Sequence, residues 1–285
     1  MTIGIIGMGL IGGSFARALH QYTPHTVLGT TRNQKTVEFA LSVDAIDAEL
    51  TDLSVPDVIF VALPPDTTIE YLTAHVDDFH KGAIVADICG VKQPIIDAAD
   101  ILYREHGIRY VGTHPMAGKE TSGFANSDVD LFRNASYLIT PTDNTDQEAV
   151  RILRELASAI GFSRIEETSP RHHDEIIAYT SQLAHVVSSA YIKSPTSSKT
   201  LGFTAGSFQD MTRVAKLDPD MWTRLFALNR EPLLSELSTL IDNLTIFRDA
   251  LASGDLAHVH NLLDLGRALR EEVLFRQHQE RTGSD

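Results

Sequence analysis

The sequence contains a single cysteine, Cys89, in 285 residues. One thiol excludes a disulfide within the chain and a zinc site built from several thiolates, and we assign no metal ligands. No apolar run approaches the roughly 18 residues that cross a membrane. The apolar start at residues 3–13 lacks the basic leader and the cleavage site of a signal peptide. We therefore expect a cytoplasmic protein with no membrane partner.

Basic residues are also scarce. The chain has 24 lysines and arginines against 38 aspartates and glutamates, a formal net charge of −14. This charge is opposite in sign to what non-specific binding of a nucleic-acid backbone requires, so we exclude nucleic acid as the main partner. In other respects the composition is that of an ordinary globular protein, and the length predicts about two domains.

Up to about residue 167, short β-branched runs alternate with helical patterns. Such alternation is typical of βαβ units around a mainly parallel sheet. Thr67 and Glu70 have the spacing of a capping box, which predicts the start of a helix after Pro64 and Pro65. The predicted strands are residues 3–6, 26–29, 58–63, 83–87, 109–112, 137–140 and 162–165.

Beyond residue 167 the pattern changes to apolar residues at spacings of three and four, which indicates helices. Ser169 and Pro170 predict the start of the first of them. A serine-rich stretch with a proline at residues 193–199 predicts a connection between two helices. We therefore predict an α/β protein: a Rossmann-like, doubly wound domain over residues 1–167, followed by an all-α domain over residues 168–285.

The first predicted strand runs directly into a glycine-rich turn of the form G-x-G-x-x-G, and a helical pattern follows it. In this context Gly7 allows the tight turn, Gly9 lets the backbone approach a pyrophosphate, and Gly12 allows the helix to pack closely. Helix N-terminal amides then face the anion. The predicted cofactor-binding residues are Gly7, Met8, Gly9, Leu10, Ile11 and Gly12.

The end of the second predicted strand bears on the choice between NAD and NADP. An acidic residue there normally holds the ribose hydroxyls of NAD, but this chain continues from Gly29 into Thr30, Thr31 and Arg32. Thr31 can donate a hydrogen bond to a 2′-phosphate and Arg32 can pair with it. We expect NADP to be preferred. The alternative is that Arg32 is a solvated loop charge and the protein binds NAD.

His114 follows the predicted strand 109–112 and precedes Pro115, which favours an extended backbone. Strand ends of such sheets deliver residues to the cofactor crevice. A lone histidine is more often structural, but this placement favours a function. His114 is therefore a candidate catalytic residue.

A second candidate cluster lies on the first helix of the C-terminal half. Asp174, Ser181 and His185 are separated by seven and four residues, so an α-helix turning about 100° per residue places them on one face. That face is either a site or a solvated stripe. Further along, Arg213 either binds a carboxylate in forked geometry or pairs with Asp210, three residues away.

Five blocks occur in order along nearly the whole chain: GIIGMGLIGGS, DICGVK, THPMAGKETSG, HHDEIIAYTSQLAH and FQDMTRVAKLDPDMW. Together they resemble the prephenate and arogenate dehydrogenases of tyrosine biosynthesis. The resemblance implies a nucleotide-binding domain followed by a helical substrate-binding and homodimerisation domain, with the active site between them. It implies oxidative decarboxylation of prephenate to 4-hydroxyphenylpyruvate.

The same resemblance implies roles for individual residues. The histidine that matches His114 is the catalytic one and accepts the proton of the ring hydroxyl. Arg213 matches the ligand of a substrate carboxylate, His185 and Ser181 match the wall beside it, and Glu120 matches a gating acid. Asp174 and Trp222 match supporting and dimer-contact positions.

Three positions depart from the family pattern. Gly90 stands where many relatives have serine, Gln182 where some have histidine, and Lys119 where threonine is frequent. These departures leave the choice between prephenate and arogenate open. Some relatives also carry a regulatory amino-acid-binding domain, which we do not expect here because little sequence follows Phe275.

Other functions fit parts of the sequence. An arogenate-specific dehydrogenase is the nearest alternative. A β-hydroxyacid dehydrogenase would use a catalytic lysine in the helical half, but Lys193, Lys199 and Lys216 lie outside the polar stripe. A non-catalytic, nucleotide-sensing dimer would leave His114, His185 and Arg213 unexplained.

Overall fold

The computed structural model describes residues 1–119 and 121–282. In this part of the chain, eight strands form one sheet in the order β3-β2-β1-β4-β5-β6-β7-β8. They are β1 (Thr2–Ile6), β2 (Thr26–Thr30), β3 (Ala48–Glu49), β4 (Val58–Val61), β5 (Ile84–Asp87), β6 (Arg109–Pro115), β7 (Ser136–Thr140) and β8 (Arg164–Glu167).

Neighbouring strands of the sheet are parallel, with β6 and β7 as the antiparallel pair. The order from β3 to β6 is that of a Rossmann fold, whose ligand crevice lies where the strand order reverses, between β1 and β4. The predicted mainly parallel sheet is confirmed. The two-residue strand β3 was not predicted, because it is too short to carry an alternating pattern.

Helices cover both faces of the sheet. Successive strand residues point to opposite faces, so Phe60 packs with Phe15 in one buried cluster, whereas Val61 packs with Leu72 in a second. Cys89, just after β5, is buried in the second cluster, with its Sγ 3.2 Å from Thr68 Oγ1. The helices between the strands are α1 (Leu10–Tyr22), α2 (Gln34–Ser42), α3 (Pro65–Ala74), α4 (Gln93–Glu105) and α5 (Gln147–Ala159).

The start of α3 differs from the prediction. The helix begins at Pro65 with Pro64 as its N-cap, so Thr67 and Glu70 do not form a capping box. The hydroxyl of Thr68 instead donates to the carbonyl of Leu63 at 3.0 Å. Proline suits the first helical position because its φ angle is already helical and its missing N–H has no helical partner. The two prolines therefore decide where this helix begins.

The described chain after β8 is helical, as predicted. Its first helix begins at Pro170, and the Ser169 hydroxyl accepts a hydrogen bond from the His172 amide at 3.2 Å, which confirms the predicted start. The helices are α6 (Pro170–Ile177), α7 (Ala184–Tyr191), α8 (Gly206–Thr212), α9 (Pro219–Leu228), α10 (Arg230–Ser253) and α11 (Leu256–Thr282). A π-helical turn, Ala178–Leu183, joins α6 to α7, and 3₁₀ turns lie at Pro195–Lys199 and Arg213–Ala215.

The chain forms two compact units, Met1–Leu233 and Leu234–Asp285. The first contains the sheet and the helices as far as α9. Within residues 1–119 and 121–282, none of the helices has the length and apolar character of a membrane span. The division of function at residues 167 and 168 stays a prediction.

Candidate active site

The turn between β1 and α1 is shaped for an approaching ligand. Gly7 has a φ of +95°, and a Cβ there would lie 2.3 Å from the Ala62 carbonyl oxygen. A Cβ on Gly12 would lie 2.0 Å from the Gly7 carbonyl oxygen, so both positions require glycine. A Cβ on Gly9, in contrast, would meet no described atom within 4 Å. The open space at Gly9 is where a pyrophosphate would approach the backbone.

The other residues of the turn offer backbone groups. Met8 is buried, and its sulfur packs against Gly29 of β2. Leu10 and Ile11 form the first turn of α1 behind the Gly9 N-cap, so the first amides of the helix face outward without a capping side chain. Such amides attract an anion. The residues present therefore fit a dinucleotide cofactor.

Two basic side chains follow β2. Arg32 is exposed and, among the described residues, makes no hydrogen bond or ion pair. Lys35 is also exposed, and its amide donates to the Asn33 side chain at 3.1 Å at the start of α2. Thr31 lies between β2 and Arg32 and is half-buried. This end of the strand therefore carries positive charge.

His114 lies near the carboxyl end of β6 and is half-buried. Its Nδ1 is 2.9 Å from Nε2 of His173, a residue of α6. On the other edge of the ring, a Cβ built on Gly90 would lie 3.8 Å from Nε2. The His114 ring is thus held at Nδ1, while its Nε2 faces the space beside Gly90.

His173 was not predicted as a site residue. It is buried, and its Nδ1 is 2.7 Å from Oδ1 of Asp174. Its neighbour His172 is exposed. The signal that could have revealed it is the pair of histidines before Asp174 in the block HHDE, because only one of two adjacent helical residues can face the sheet.

Asp174 joins α6 to the start of α4. Its Oδ1 accepts the Lys92 amide at 2.8 Å and its Oδ2 accepts the Gln93 amide at 2.9 Å. Its backbone carbonyl accepts from the Asn229 side chain at 2.9 Å, and the same Asn229 amide donates to Gln182. Asp174 is therefore held both at its carboxylate and at its backbone carbonyl.

A buried ion pair lies behind His114. Lys92 Nζ donates to Asp87 and also to the carbonyl of Thr113, the residue before His114, at 2.6 Å. Asp87 accepts a further hydrogen bond from the Tyr110 hydroxyl at 2.6 Å. Lys92 therefore holds the end of β6 through its side chain, while its amide holds Asp174.

These surroundings keep both histidines neutral. Burial, with smaller contributions from His173 and Lys92, holds the pKa of His114 well below the ordinary 6.5. Burial also lowers the pKa of His173, although its hydrogen bond to Asp174 acts in the opposite direction. At pH 7 His114 is therefore an imidazole with an available lone pair.

The predicted common face of Asp174, Ser181 and His185 rests on an assumption that is wrong. The helix widens into a π-helical turn at Ala178–Leu183, so a uniform rotation of about 100° per residue does not apply there. Ser181 lies within this turn and is half-buried. Asp174 contacts the start of α4, whereas His185 lies in α7 and contacts a different segment.

The segment that His185 contacts is the stretch that carries Arg213 and Trp222. His185 Nδ1 is 3.2 Å from the Val214 carbonyl oxygen, and its ring centroid is 3.7 Å from that of Trp222. Burial lowers the pKa of His185, and the positive charge of Arg213 adds to this effect. The structure leaves both interpretations of Arg213 open, and Glu120 lies outside the described residues.

Comparisons with known proteins agree with these features. A model described as the nucleotide-binding domain of prephenate dehydrogenase matches residues 15–166, and one described as its dimerization domain matches residues 169–265. The chain is 28% identical over 288 residues to prephenate dehydrogenase of Bacillus subtilis, which covers 97% of this chain and 77% of the relative. It is 30% identical over 265 residues to cyclohexadienyl dehydrogenase of Zymomonas mobilis, which covers 89% of each chain.

A solved structure gives the same result. The arogenate dehydrogenase of Synechocystis has a TM-score of 0.82 and 29% sequence identity, over 96% of this chain and all (100%) of that chain. The two family models match the chain in the order predicted from its sequence. The chain therefore belongs to the prephenate dehydrogenase family, as an NAD(P)-dependent prephenate or arogenate dehydrogenase.

Proposed function

We propose that the chain catalyses oxidative decarboxylation of prephenate to 4-hydroxyphenylpyruvate. The observation that carries this proposal is the His114 ring, bonded at Nδ1 and open at Nε2 beside Gly90. A neutral imidazole in this position suits removal of the proton from the ring hydroxyl of the substrate. When bound, the nicotinamide supplies the hydride acceptor for the carbon that bears this hydroxyl.

The stoichiometry of this reaction requires His114 first to accept a proton and then to return it. The O–H bond breaks as its proton passes to Nε2, and a carbonyl forms at that carbon. Loss of the ring carboxylate as carbon dioxide then makes the ring aromatic and leaves a phenolate oxygen. Because the net reaction releases no proton, His114 returns its proton to that oxygen. His114 must therefore hold a proton between the two steps.

NADP is the proposed cofactor. Gly7, Gly9 and Gly12 would hold the pyrophosphate, and Thr31 with Arg32 would hold the 2′-phosphate. Arg32, which is exposed and has no partner among the described residues, supports this assignment, as does Lys35 three residues further on. The alternative is NAD bound with weaker ribose contacts.

The substrate side is formed by the helical segments. Arg213 would pair with a carboxylate of prephenate, and His185 with Ser181 would line the wall beside it. The close contact between the His185 and Trp222 rings supports this grouping. Glu120 is proposed as the gating acid from the family pattern alone. The positive charge of Arg213 would attract a dicarboxylate locally, although the chain as a whole carries −14.

Arogenate is the second candidate substrate, because the Synechocystis relative is named an arogenate dehydrogenase. The Zymomonas relative is named for cyclohexadienyl compounds more generally. A β-hydroxyacid dehydrogenase is less well supported, since Lys193, Lys199 and Lys216 are all exposed. A nucleotide sensor would bind the cofactor without turnover.

One spectrophotometric experiment separates these functions. Prephenate and arogenate are each assayed with NAD and with NADP, and formation of the reduced cofactor is followed. We expect the highest kcat/KM for prephenate with NADP. A higher value for arogenate would transfer the proposal to that substrate. Cofactor binding without turnover of either compound would favour the non-catalytic nucleotide sensor.

A homodimer through the C-terminal helices is also proposed. The second compact unit exposes many apolar side chains, including Leu244, Leu256 and Leu263, in the single chain. Apolar surface on this scale is typical of an association surface. The proposed division of labour places the cofactor in residues 1–167 and the substrate wall and dimer contacts in residues 168–285, in the cytoplasm.

A further inference from the structure

Three side chains form a continuous hydrogen-bonded chain behind the open edge of His114. His114 Nδ1 and His173 Nε2 are 2.9 Å apart, and His173 Nδ1 and Asp174 Oδ1 are 2.7 Å apart. Two of the three, His173 and Asp174, are almost completely buried. Water therefore has little access to their contacts, and the donor of each hydrogen bond follows from the partners themselves.

The order of donors can be deduced from Asp174 outward. Each oxygen of its carboxylate already accepts a backbone amide, from Lys92 and from Gln93, so the group acts as an acceptor. His173 must then donate from Nδ1, which leaves its Nε2 as the acceptor in the neutral ring. His114 in turn must donate from Nδ1. The lone pair of neutral His114 therefore lies on Nε2, the nitrogen that faces Gly90.

We propose that His173 and Asp174 are positioning residues that hold His114 in the tautomer with an unprotonated Nε2 and stabilise it while it carries the substrate proton. This inference rests on the proposed function of His114 as the base. His173 touches neither substrate nor cofactor in this proposal. It acts by accepting the Nδ1–H hydrogen bond in both states of His114.

The proposal explains how the half-buried His114 can hold a proton between two steps. When His114 is protonated, its Nδ1–H still points at the His173 lone pair, and the Asp174 carboxylate lies directly behind. Among the described residues, the other charged groups near this chain are Lys92 and Asp87, which pair with each other, and the Tyr110 hydroxyl donates to Asp87. Asp174 is thus the negative charge that faces the imidazolium, as in other histidine bases oriented by a buried aspartate.

Lys92 holds the hydrogen-bonded series of His114, His173 and Asp174 at both ends. Lys92 Nζ donates to the carbonyl of Thr113, directly before His114, and the Lys92 amide donates to Asp174. One residue therefore fixes the strand that carries the base and the carboxylate that orients it. This geometry limits rotation of the His114 ring away from the substrate.

The first test reads the tautomer directly in the free enzyme. Protein labelled with ¹⁵N-histidine is examined by two-dimensional NMR at pH 7.5, and the His114 signals are identified by their absence in His114→Asn. We expect His114 to carry its proton on Nδ1, with Nε2 unprotonated. A wild-type His114 protonated on Nε2 would overturn the proposal, whatever the activity of the enzyme.

The second test uses two substitutions of His173. Asn places an amide near the position of Nδ1, so His173→Asn keeps a partner for Asp174 but removes the acceptor for His114. Gln places its oxygen near the position of Nε2, so His173→Gln restores that acceptor. Asp174 is left unchanged because its carboxylate also holds the start of α4.

We expect His173→Asn to lower kcat by about 100-fold, with KM for prephenate nearly unchanged, because the base is misaligned rather than the substrate lost. His173→Gln should recover about tenfold of that loss, about 1.4 kcal/mol. His172→Asn, at the exposed neighbouring position, is the matched control and should retain wild-type kcat. Thermal unfolding and NADPH binding, measured for each variant, report folding independently of turnover.

The outcomes separate this proposal from the function on which it rests. If His114→Asn is inactive but His173→Asn keeps wild-type kcat and the same His114 tautomer, the positioning role is wrong and the base is not. If His114→Asn retains turnover, the proposed base is wrong. Loss of kcat in His173→Asn with equal loss in His173→Gln and an unchanged His114 tautomer would indicate a packing role only.

Discussion

Lys92 and Asp87 form an ion pair in which neither side chain exposes any surface to solvent. The pair lies beneath the end of β6, and each partner has a further hydrogen bond, from Lys92 to the Thr113 carbonyl and from Tyr110 to Asp87. Two charges removed from water are tolerated only when they satisfy each other in this way. The end of β6, which carries His114, is therefore held by a pair that is fully enclosed by protein.

Removing one member of this pair should destabilise the protein strongly. Lys92→Met leaves Asp87 as a buried charge with two described hydrogen-bond donors, the Tyr110 hydroxyl and the Cys89 amide, but with no cation. We expect the free energy of unfolding to fall by about 3–5 kcal/mol. Urea denaturation followed by far-UV circular dichroism measures the change. Lys199→Met, at an exposed lysine, should leave the midpoint unchanged. Equal midpoints for the two variants would contradict the importance of the buried pair.

The lowered pKa of His114 predicts activity in mildly acidic solution. Below its pKa the ring is an imidazolium and cannot accept the hydroxyl proton, so kcat/KM falls there. Because burial holds this pKa well below 6.5, the acid limb of log kcat/KM should also lie below pH 6.5. A pH profile from 4.5 to 8.5 measures it, and a limb at or above 6.5 would contradict a neutral His114 base.

Replacing the base itself should remove most of the turnover. For His114→Asn we expect kcat to fall by about 10²–10⁴-fold, the range for loss of a general base. NADPH binding should be unchanged, because His114 lies on β6 rather than in the glycine-rich turn. Fluorescence titration with NADPH provides that control. Near-normal turnover would remove His114 from the mechanism.

Arg213 should act through substrate binding. A hydrogen bond to a charged group contributes about 1.5–3 kcal/mol, so Arg213→Ala should raise KM for prephenate by about 10- to 100-fold. Its kcat should change much less. Lys216→Ala, an exposed cation nearby, is the matched control. An unchanged KM in Arg213→Ala would favour the structural pairing of Arg213 with Asp210.

Arg32 should distinguish the two nicotinamide cofactors. We expect Arg32→Ala to lower kcat/KM for NADP by about tenfold, the effect of one lost charged hydrogen bond. The value for NAD, measured on the same variant, should remain close to wild type because NAD has no 2′-phosphate. Equal losses with both cofactors would place Arg32 elsewhere in the site.

Gly90 leaves room for a small side chain. A Cβ there would lie 3.6 Å from Leu225 and 3.8 Å from His114 Nε2, both ordinary contacts, so Gly90→Ala and Gly90→Ser should fold normally. The serine adds a hydrogen-bonding group beside the substrate hydroxyl. We expect Gly90→Ser to lower KM about 2- to 10-fold relative to Gly90→Ala. Equal KM values would show that the hydroxyl does not reach the substrate.

Local patterns predicted much of this molecule. The glycine-rich turn, the strands that flank it and the start of α6 at Ser169 were predicted because each depends on residues that are close in sequence. The start of α3 was predicted incorrectly, because Pro64 and Pro65 outweigh the capping pattern that follows them. Local sequence rules were therefore reliable where no second rule acted on the same segment.

The arrangement behind His114 could not be predicted in the same way. His173 is 59 residues from His114 in sequence, and Asp174 is 82 residues from Lys92. A lysine in a loop is normally assigned to the surface, so the buried Lys92 gave no signal. The π-helical turn at Ala178–Leu183 lacks a recognisable local pattern, and the uniform rotation assumed for the alignment of Asp174 with His185 does not hold across it. These features depend on packing between distant segments.

The buried thiol of Cys89 can report on local opening of the fold. Burial, together with the nearby Asp87, raises the pKa of its thiol to about 12, so the reactive thiolate is suppressed near neutral pH. Its sulfur lies against Thr68 of α3, and no second cysteine in the sequence competes for a reagent. The rate at which an alkylating probe attaches to this chain would therefore measure how often the layer between α3 and β5 opens, in unmodified enzyme and without any engineered label.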